Sequence, residues 1–197
     1  MNRPRFFRWY RVIPLIAMFV LSVSTLVLYA LRDSNTWKYF YPVKHEEIIV
    51  SACRRYDVDP YLAAAVIKCE SNWDEKAVSH AGAQGLMQMM PATAEHLAKT
   101  GAVSAKRFDP RRLSEPEVNI EYGVCYLSML AKQFSSRDEV IAAYNAGPTQ
   151  VSAWKKDNET PIQKSITFAE TGAYVTSVNQ TYECYKRLYP QGIGHHD

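Results

Sequence analysis

A long apolar run near the N-terminus constrains this chain more than any other feature. Residues 12–31 contain no charged side chain over 20 positions, which as a helix is long enough to cross about 30 Å of hydrocarbon. The preceding segment, residues 1–11, is basic and has no acidic residue; its cations are Arg3, Arg5, Arg8 and Arg11. The run is followed by Arg32 and Asp33. The positive-inside rule then predicts a single-pass helix with a cytoplasmic N-terminus and an extracytoplasmic remainder.

Two other interpretations of residues 12–31 stay open. A cleaved secretory signal also begins with a basic segment, but its apolar core usually spans 7 to 15 residues, and Leu28 with Ala30 makes a poor cleavage site. A buried core helix would be apolar along one stripe, whereas this run is apolar on every side. We therefore expect a retained membrane anchor, and under either the anchor or the signal interpretation the rest of the chain is exported.

Length and charge limit what the exported part can be. The chain has 197 residues, 47% of them hydrophobic, which is enough for one packed domain and a short appendage. The net charge is +3, and removing the four arginines of residues 1–11 leaves −1 for residues 32–197. No basic surface for nucleic acid is expected from a nearly neutral domain.

Cysteine and histidine usage gives no sign of a metal or cofactor. The four cysteines are Cys53, Cys69, Cys125 and Cys184, and none has the close paired spacing of a zinc site. Export would permit one or two disulfides, and four buried free thiols are an equally good interpretation. The histidines show no ligand spacing, and we expect neither a metal nor a cofactor.

The periodicity of the exported part predicts a mainly α domain over residues 44–190, between a linker at 32–43 and a tail at 191–197. Asp59 and Pro60 are typical of a helix start, and that helix is expected to run to about Asn72. Pro91 opens another helix, and apolar stripes predict helices near residues 45–56, 117–134 and 138–146, and a final one through Tyr174 to Leu188. Residues 155–165 are expected to form a polar loop.

Glu70 is the first candidate for chemistry. It follows LAAAVIKC, a helical stretch of mostly small or apolar side chains. Partial desolvation there would raise the pKa of the carboxyl, as a general acid at neutral pH requires. A lone glutamate near a helix end is more often a solvated surface group, so the surrounding motifs must decide.

Four motifs supply that context. ESNWDEKAVSHAGAQGLMQMMPATA is followed in order by NIEYGVCYLSML, AAYNAGPTQV and ITFAETGAYV. This series resembles the lytic transglycosylase family with the soluble-type (SLT), lysozyme-like catalytic domain, over about residues 44–189. The resemblance implies a lysozyme-like fold and an enzyme acting on the peptidoglycan glycan strands of the bacterial cell wall.

The resemblance also implies roles for particular residues. Glu70 matches the single catalytic acid and base of the family, and Ser79 matches the serine beside the N-acetyl group of the substrate. The remaining matches are residues of the sugar cleft: Gln88, Met90, Tyr144, Asn145 and the second acidic residue Glu170. Tyr174 matches the motif's aromatic, although its helical stripe favours a core position. Gly172 stands where many relatives have arginine, which puts a local ion pair or substrate contact there in doubt.

The chemistry of glycan cleavage limits the alternatives. An oxocarbenium-like centre is usually stabilised by a second carboxylate, but the nearby candidates, Asp74 and Glu75, are better interpreted as solvated loop charges. The 2-acetamido group of the substrate can serve instead. The family reaction closes a 1,6-anhydro ring on MurNAc; a hydrolytic muramidase, or a catalytically silent wall-binding module, are the alternative functions.

Overall fold

The computed structural model describes residues 9–32, 34–155 and 161–194. The chain divides into two units, Met1–Pro42 and Val43–Asp197, which are described separately. Four predicted segments lie partly outside the described residues: the basic segment 1–11, the linker 32–43, the polar loop 155–165 and the tail 191–197. The terminal histidines are among the residues left outside.

The described residues of the first unit form two helices. Helix α1, Trp9–Arg32, contains Pro14 and the apolar run predicted from the sequence. Its stretch Val12–Tyr29 is long and apolar enough to span a membrane; a signal sequence passes the same test. A short helix that the sequence did not predict, α2 at Ser34–Phe40, lies within the expected linker.

The second unit contains seven α-helices among its described residues. They are α3 (Glu46–Tyr56), α4 (Pro60–Ser71), α5 (Pro91–Lys99), α6 (Pro116–Gln133), α7 (Arg137–Ala146), α8 (Pro148–Trp154) and α9 (Ala169–Leu188). Two 3-10 turns, Pro110–Arg112 and Ile162–Lys164, connect them. The extended pairing in the described part is limited to isolated bridges, Val78 with Gln84 and Gln84 with Met89.

Local sequence explains where these helices begin. The side chain of Asp59 accepts a hydrogen bond from the backbone N–H of Tyr61, and Pro60 occupies the first turn of α4. Ser136 and Glu139 form a capping box at the start of α7. Pro148 occupies the first turn of α8, a helix that the sequence did not predict.

The core forms where α9 packs on α4 and α7, and α6 packs on α3 and α7. Residues 63–67 of α4 are all buried, so the catalytic candidate at the end of this helix stands on a rigid support. The chain then turns sharply, since Asn72 and Trp73 both have positive φ, at 51° and 67°. Trp73 is buried, and its indole N–H donates to the Tyr185 hydroxyl at 3.0 Å.

All four cysteines lie in the described part of the chain, and each is a free thiol there. Burial raises the pKa of Cys53 to about 12 and that of Cys125 to about 11, with nearby acidic groups adding to both shifts. Such thiols are weak nucleophiles. The structure thus contains no disulfide among these four cysteines.

Candidate active site

The carboxyl of Glu70 lies in the last turn of α4, against the N-terminal half of α9. Its Oε1 accepts a hydrogen bond of 2.6 Å from the hydroxyl of Tyr174. Burial raises the pKa of Glu70 from 4.5 to about 7, and the hydrogen bond from Tyr174 opposes the rise. The group is therefore balanced between its acid and its carboxylate near neutral pH.

Tyr174 contacts the catalytic candidate, whereas its helical stripe in the sequence favoured a core position. Its stripe partners Tyr182 and Tyr185 are indeed buried, but Tyr174 is half-buried and its hydroxyl reaches Glu70. Burial raises the pKa of Tyr174 well above 10, and the neighbouring charge of Glu70 raises it further. The hydroxyl is thus a permanent donor to the carboxyl. The sequence feature that could have indicated this position is that Tyr174 belongs to the last of the four motifs, ITFAETGAYV.

Tyr144 lies near Glu70 but does not bond to it. Burial and then the charge of Glu70 raise the pKa of Tyr144 well above 10. Its hydroxyl donates to the backbone carbonyl of Met87 at 2.8 Å, and its ring packs against Tyr126 with centroids 5.5 Å apart. Tyr144 therefore connects α7 to the loop that follows α4.

The segment 77–90, which we call the glycan loop, carries three of the predicted cleft residues. The Ser79 hydroxyl oxygen accepts from the backbone N–H of Ala83 at 3.0 Å, which leaves its proton free to donate. The Gln88 amide donates to the carbonyls of Ala77 and Gly85, at 3.1 and 3.0 Å, so Oε1 is the atom left for a ligand. Met90 is 40% exposed at the start of α5.

Two further predicted residues lie at the junction of α7 and α9. Asn145 is exposed, and its Oδ1 accepts a hydrogen bond of 2.8 Å from the Thr171 hydroxyl. Glu170 is exposed in the first turn of α9, about 6 Å along the helix axis from Tyr174. Both are accessible to a ligand, although neither is held directly against Glu70 by a described contact. Gly172 has open space around it, since a Cβ added there would lie 4.0 Å from Cγ2 of Ile166.

The two carboxylates that follow α4 are occupied elsewhere. Oδ1 of Asp74 accepts from the backbone N–H of Lys76 at 2.9 Å, and Oε1 of Glu75 lies 2.8 Å from Nε2 of His45. Among the described residues, burial and Tyr174 account for the pKa of Glu70, and no second carboxylate contributes. The described part also holds no cluster of three or more metal-ligating side chains.

Comparison with known proteins identifies the family of this chain. Residues 47–167 match the family "Transglycosylase SLT domain". The soluble lytic murein transglycosylase of Salmonella typhimurium is 37% identical over 155 residues, which cover 76% of this chain and 24% of the relative. The membrane-bound lytic murein transglycosylase C of Haemophilus influenzae is 35% identical over 132 residues, or 61% of this chain and 36% of the relative.

Solved structures establish the fold. The 70 kDa soluble lytic transglycosylase of Escherichia coli superposes with a TM-score of 0.69 at 31% identity, covering 76% of this chain and 25% of that one. An inactive mutant of the lytic transglycosylase Slt from Pseudomonas aeruginosa gives 0.70 at 30% identity, with 77% and 25% covered. The predicted mainly α, lysozyme-like fold is confirmed. The chain spans about a quarter of the length of these soluble relatives.

Proposed function

The chain belongs to the Transglycosylase SLT domain family, and we therefore propose that it is a membrane-anchored peptidoglycan lytic transglycosylase. It cleaves the β-1,4 bond between MurNAc and GlcNAc and leaves 1,6-anhydroMurNAc ends. The observation that carries the proposal is the half-buried Glu70 carboxyl, which has a pKa of about 7 and a single described hydrogen-bond donor, Tyr174.

The first step needs a proton donor. A substantial fraction of Glu70 is protonated at neutral pH because burial disfavours its charge. Glu70 gives its proton to the glycosidic oxygen as the bond to C1 of MurNAc breaks, so GlcNAc leaves as a neutral alcohol. The Tyr174 hydroxyl then stabilises the new carboxylate at the oxygen it already contacts.

The positive centre that forms at C1 needs an electron donor. Asp74 and Glu75 are engaged with Lys76 and His45, which favours the acetamido oxygen of the substrate as the internal nucleophile. The Ser79 hydroxyl, with its proton free, orients that acetamido group. We assign Gln88, Met90, Tyr144, Asn145 and Glu170 to glycan binding, as lining residues of the same cleft.

The second step returns the enzyme to its starting state. The Glu70 carboxylate takes the proton of the MurNAc C6 hydroxyl, whose oxygen attacks C1 and displaces the acetamido oxygen. The 1,6-anhydro ring closes, the carboxyl is protonated again, and water is not consumed. A hydrolytic muramidase would use the same carboxylate to activate water instead.

The membrane part of the proposal rests on α1. Its apolar stretch Val12–Tyr29 follows four arginines, which favours a cytoplasmic N-terminus and an extracytoplasmic catalytic domain. We expect the full-length chain to stay in the membrane pellet after alkaline washing. Recovery of a shorter soluble form lacking residues 1–30 would instead support a cleaved signal.

The activity is tested with the purified full chain in nonionic detergent and isolated peptidoglycan. Wild type is expected to release anhydro muropeptides, and Glu70→Gln to release none while keeping the helical circular dichroism of the wild type. Glu95→Gln, an exposed glutamate of α5, is the matched control. Equal release by Glu70→Gln and wild type would refute the assignment of Glu70.

A further inference from the structure

The glycan loop, residues 77–90, lacks the regular secondary structure that usually fixes a binding site. Within it, backbone bonds join Ser79 to Ala83 and Gln84 to Met89, and Gln88 has a positive φ of 47°. A segment of this kind needs support from its surroundings to hold side chains at a defined distance from Glu70.

The principal support is a buried amide from α6. Asn119 is 1% exposed. Its Oδ1 accepts from the backbone N–H of Met87 at 2.7 Å, and its Nδ2 donates to the carbonyls of Gln84 and Leu113, each at 2.7 Å. One side chain thus satisfies a donor and an acceptor of the loop and ties both to the segment preceding α6.

Two glycines allow the loop and α6 to approach this closely. A Cβ on Gly85 would lie 2.6 Å from the Leu113 carbonyl oxygen and closer still to Nδ2 of Asn119, and Gly85 has a φ of +72°. A Cβ on Gly123, one turn after Asn119, would lie 2.8 Å from Cβ of Met87. Loop and helix are therefore shaped for each other around the Asn119 amide.

Two other helices hold the same loop. The Ser71 hydroxyl, next to Glu70 on α4, donates to the Leu86 carbonyl at 2.8 Å. The Tyr144 hydroxyl from α7 donates to the Met87 carbonyl. The three helices therefore meet the loop at residues 84, 86 and 87, on the stretch between Ser79 and Met90.

We propose that Asn119 is a positioning residue of the active site, which fixes the glycan loop relative to Glu70 so that Ser79 and Gln88 meet the bound sugar. Ser71 assists it from the catalytic helix. The inference rests on the proposed function. It concerns glycan binding and orientation, because the described contacts of Asn119 are with the loop and with Leu113 rather than with Glu70.

The test compares Asn119→Leu with Leu130→Ala in the full chain. The leucine has nearly the shape of asparagine but no polar atoms, so the loop loses all three bonds. Leu130 is buried on the same helix, about 16 Å further along its axis, and its truncation destabilises α6 without touching the described loop contacts. Both variants are assayed at a temperature at which thermal scans show each to be folded.

If Asn119 positions the glycan loop, three results are expected for Asn119→Leu. Hydrogen exchange at the Met87 amide becomes faster by about tenfold or more, because that N–H loses its acceptor. Cleavage of peptidoglycan falls by about ten- to a hundredfold in kcat/KM, while Leu130→Ala keeps wild-type values. The midpoint of the alkaline limb of the pH profile, which reports Glu70, stays where it is in the wild type. Asn119→Asp should recover part of the activity at acidic pH, where the protonated carboxyl again offers one donor and one acceptor.

The inference is overturned if Asn119→Leu and Leu130→Ala lose activity equally at equal fraction folded, or if Met87 exchange is unchanged. Should Asn119→Leu not fold, Ser71→Ala is the second variant. It is expected to accelerate exchange on the loop and lower kcat/KM by about tenfold, and wild-type activity in Ser71→Ala would also contradict the proposal. If wild type itself does not cleave peptidoglycan, the proposed function is wrong. Hydrogen exchange at the Met87 amide would still test whether Asn119 holds the glycan loop.

Discussion

The raised pKa of Glu70 makes the stability of this protein depend on pH in a way that one substitution removes. The carboxyl has a pKa of about 7 in the folded state against an ordinary 4.5. The folded state therefore binds more protons than the unfolded state between these values, and the free energy of unfolding falls as pH rises through that window. Glutamine at position 70 has no such titration.

The size of the effect follows from the two pKa values. Their separation corresponds to about 3 kcal/mol. The contribution is fully present below pH 4.5 and is lost as pH rises through about 7. The stability of Glu70→Gln relative to wild type should thus increase by about 3 kcal/mol between about pH 4 and pH 8. This corresponds to roughly 6 to 12 °C in the difference between their melting temperatures.

The assay is thermal unfolding of the full chain in nonionic detergent, followed by helical circular dichroism at several pH values. Taking the difference between Glu70→Gln and wild type cancels the titration of other groups. The control, Glu95→Gln, changes an exposed carboxylate. The stability difference between Glu95→Gln and wild type should vary by less than about 0.5 kcal/mol across the same pH range. A Glu70→Gln difference that is flat with pH would show that Glu70 is solvated in the folded state, which would remove the physical basis for its role as an acid.

Three further predictions concern contacts of the site and the core. Tyr174→Phe removes the donor that holds down the pKa of Glu70, so the alkaline limb of the activity profile should move up by about one pH unit; a limb that stays or moves down contradicts the assigned contact. Ser79→Ala should lower kcat/KM on peptidoglycan by about ten- to a hundredfold, whereas Ser104→Ala, on an exposed loop, should leave kcat/KM unchanged. Equal rates for the two variants would show that Ser79 does not orient the acetamido group of the substrate. Arg55→Met leaves the buried carboxylate of Glu121 without its ion partner and should cost about 2 kcal/mol, because Arg55 is itself partly exposed. Arg112→Met, which breaks an exposed pair with Glu115, should cost less than about 1 kcal/mol in the same thermal scans.

The local features of the fold were predictable because their causes are local. Asp59 followed by Pro60 predicts the start of α4. The spacing of Ile120, Val124 and Leu127 predicts α6. Helix α8 was missed for a related reason. Gly147 ends α7 and Pro148 begins α8 directly after it, and a helix of seven residues offers too little periodicity to be recognised.

The contacts that shape the site could not be read from spacing. Tyr174 and Glu70 are 104 positions apart in the sequence, and periodicity alone placed Tyr174 in the core. The role of Asn119 is equally non-local, because its partners Gln84 and Met87 lie more than 30 positions away. Motif resemblance brought Glu70, Ser79 and Tyr144 into one candidate site, but only the packing of α4, α6, α7 and α9 shows which groups bond to which.

In the proposed mechanism Glu70 serves as both acid and base, and C1 of MurNAc is attacked by the C6 hydroxyl rather than by water. The mass of the MurNAc-terminated products that the full chain releases in ¹⁸O-labelled water distinguishes these two outcomes. We expect products that are lighter by one water than the reducing-end form and free of the label. Reducing-end products that carry the label as the sole outcome would show hydrolysis and contradict this mechanism.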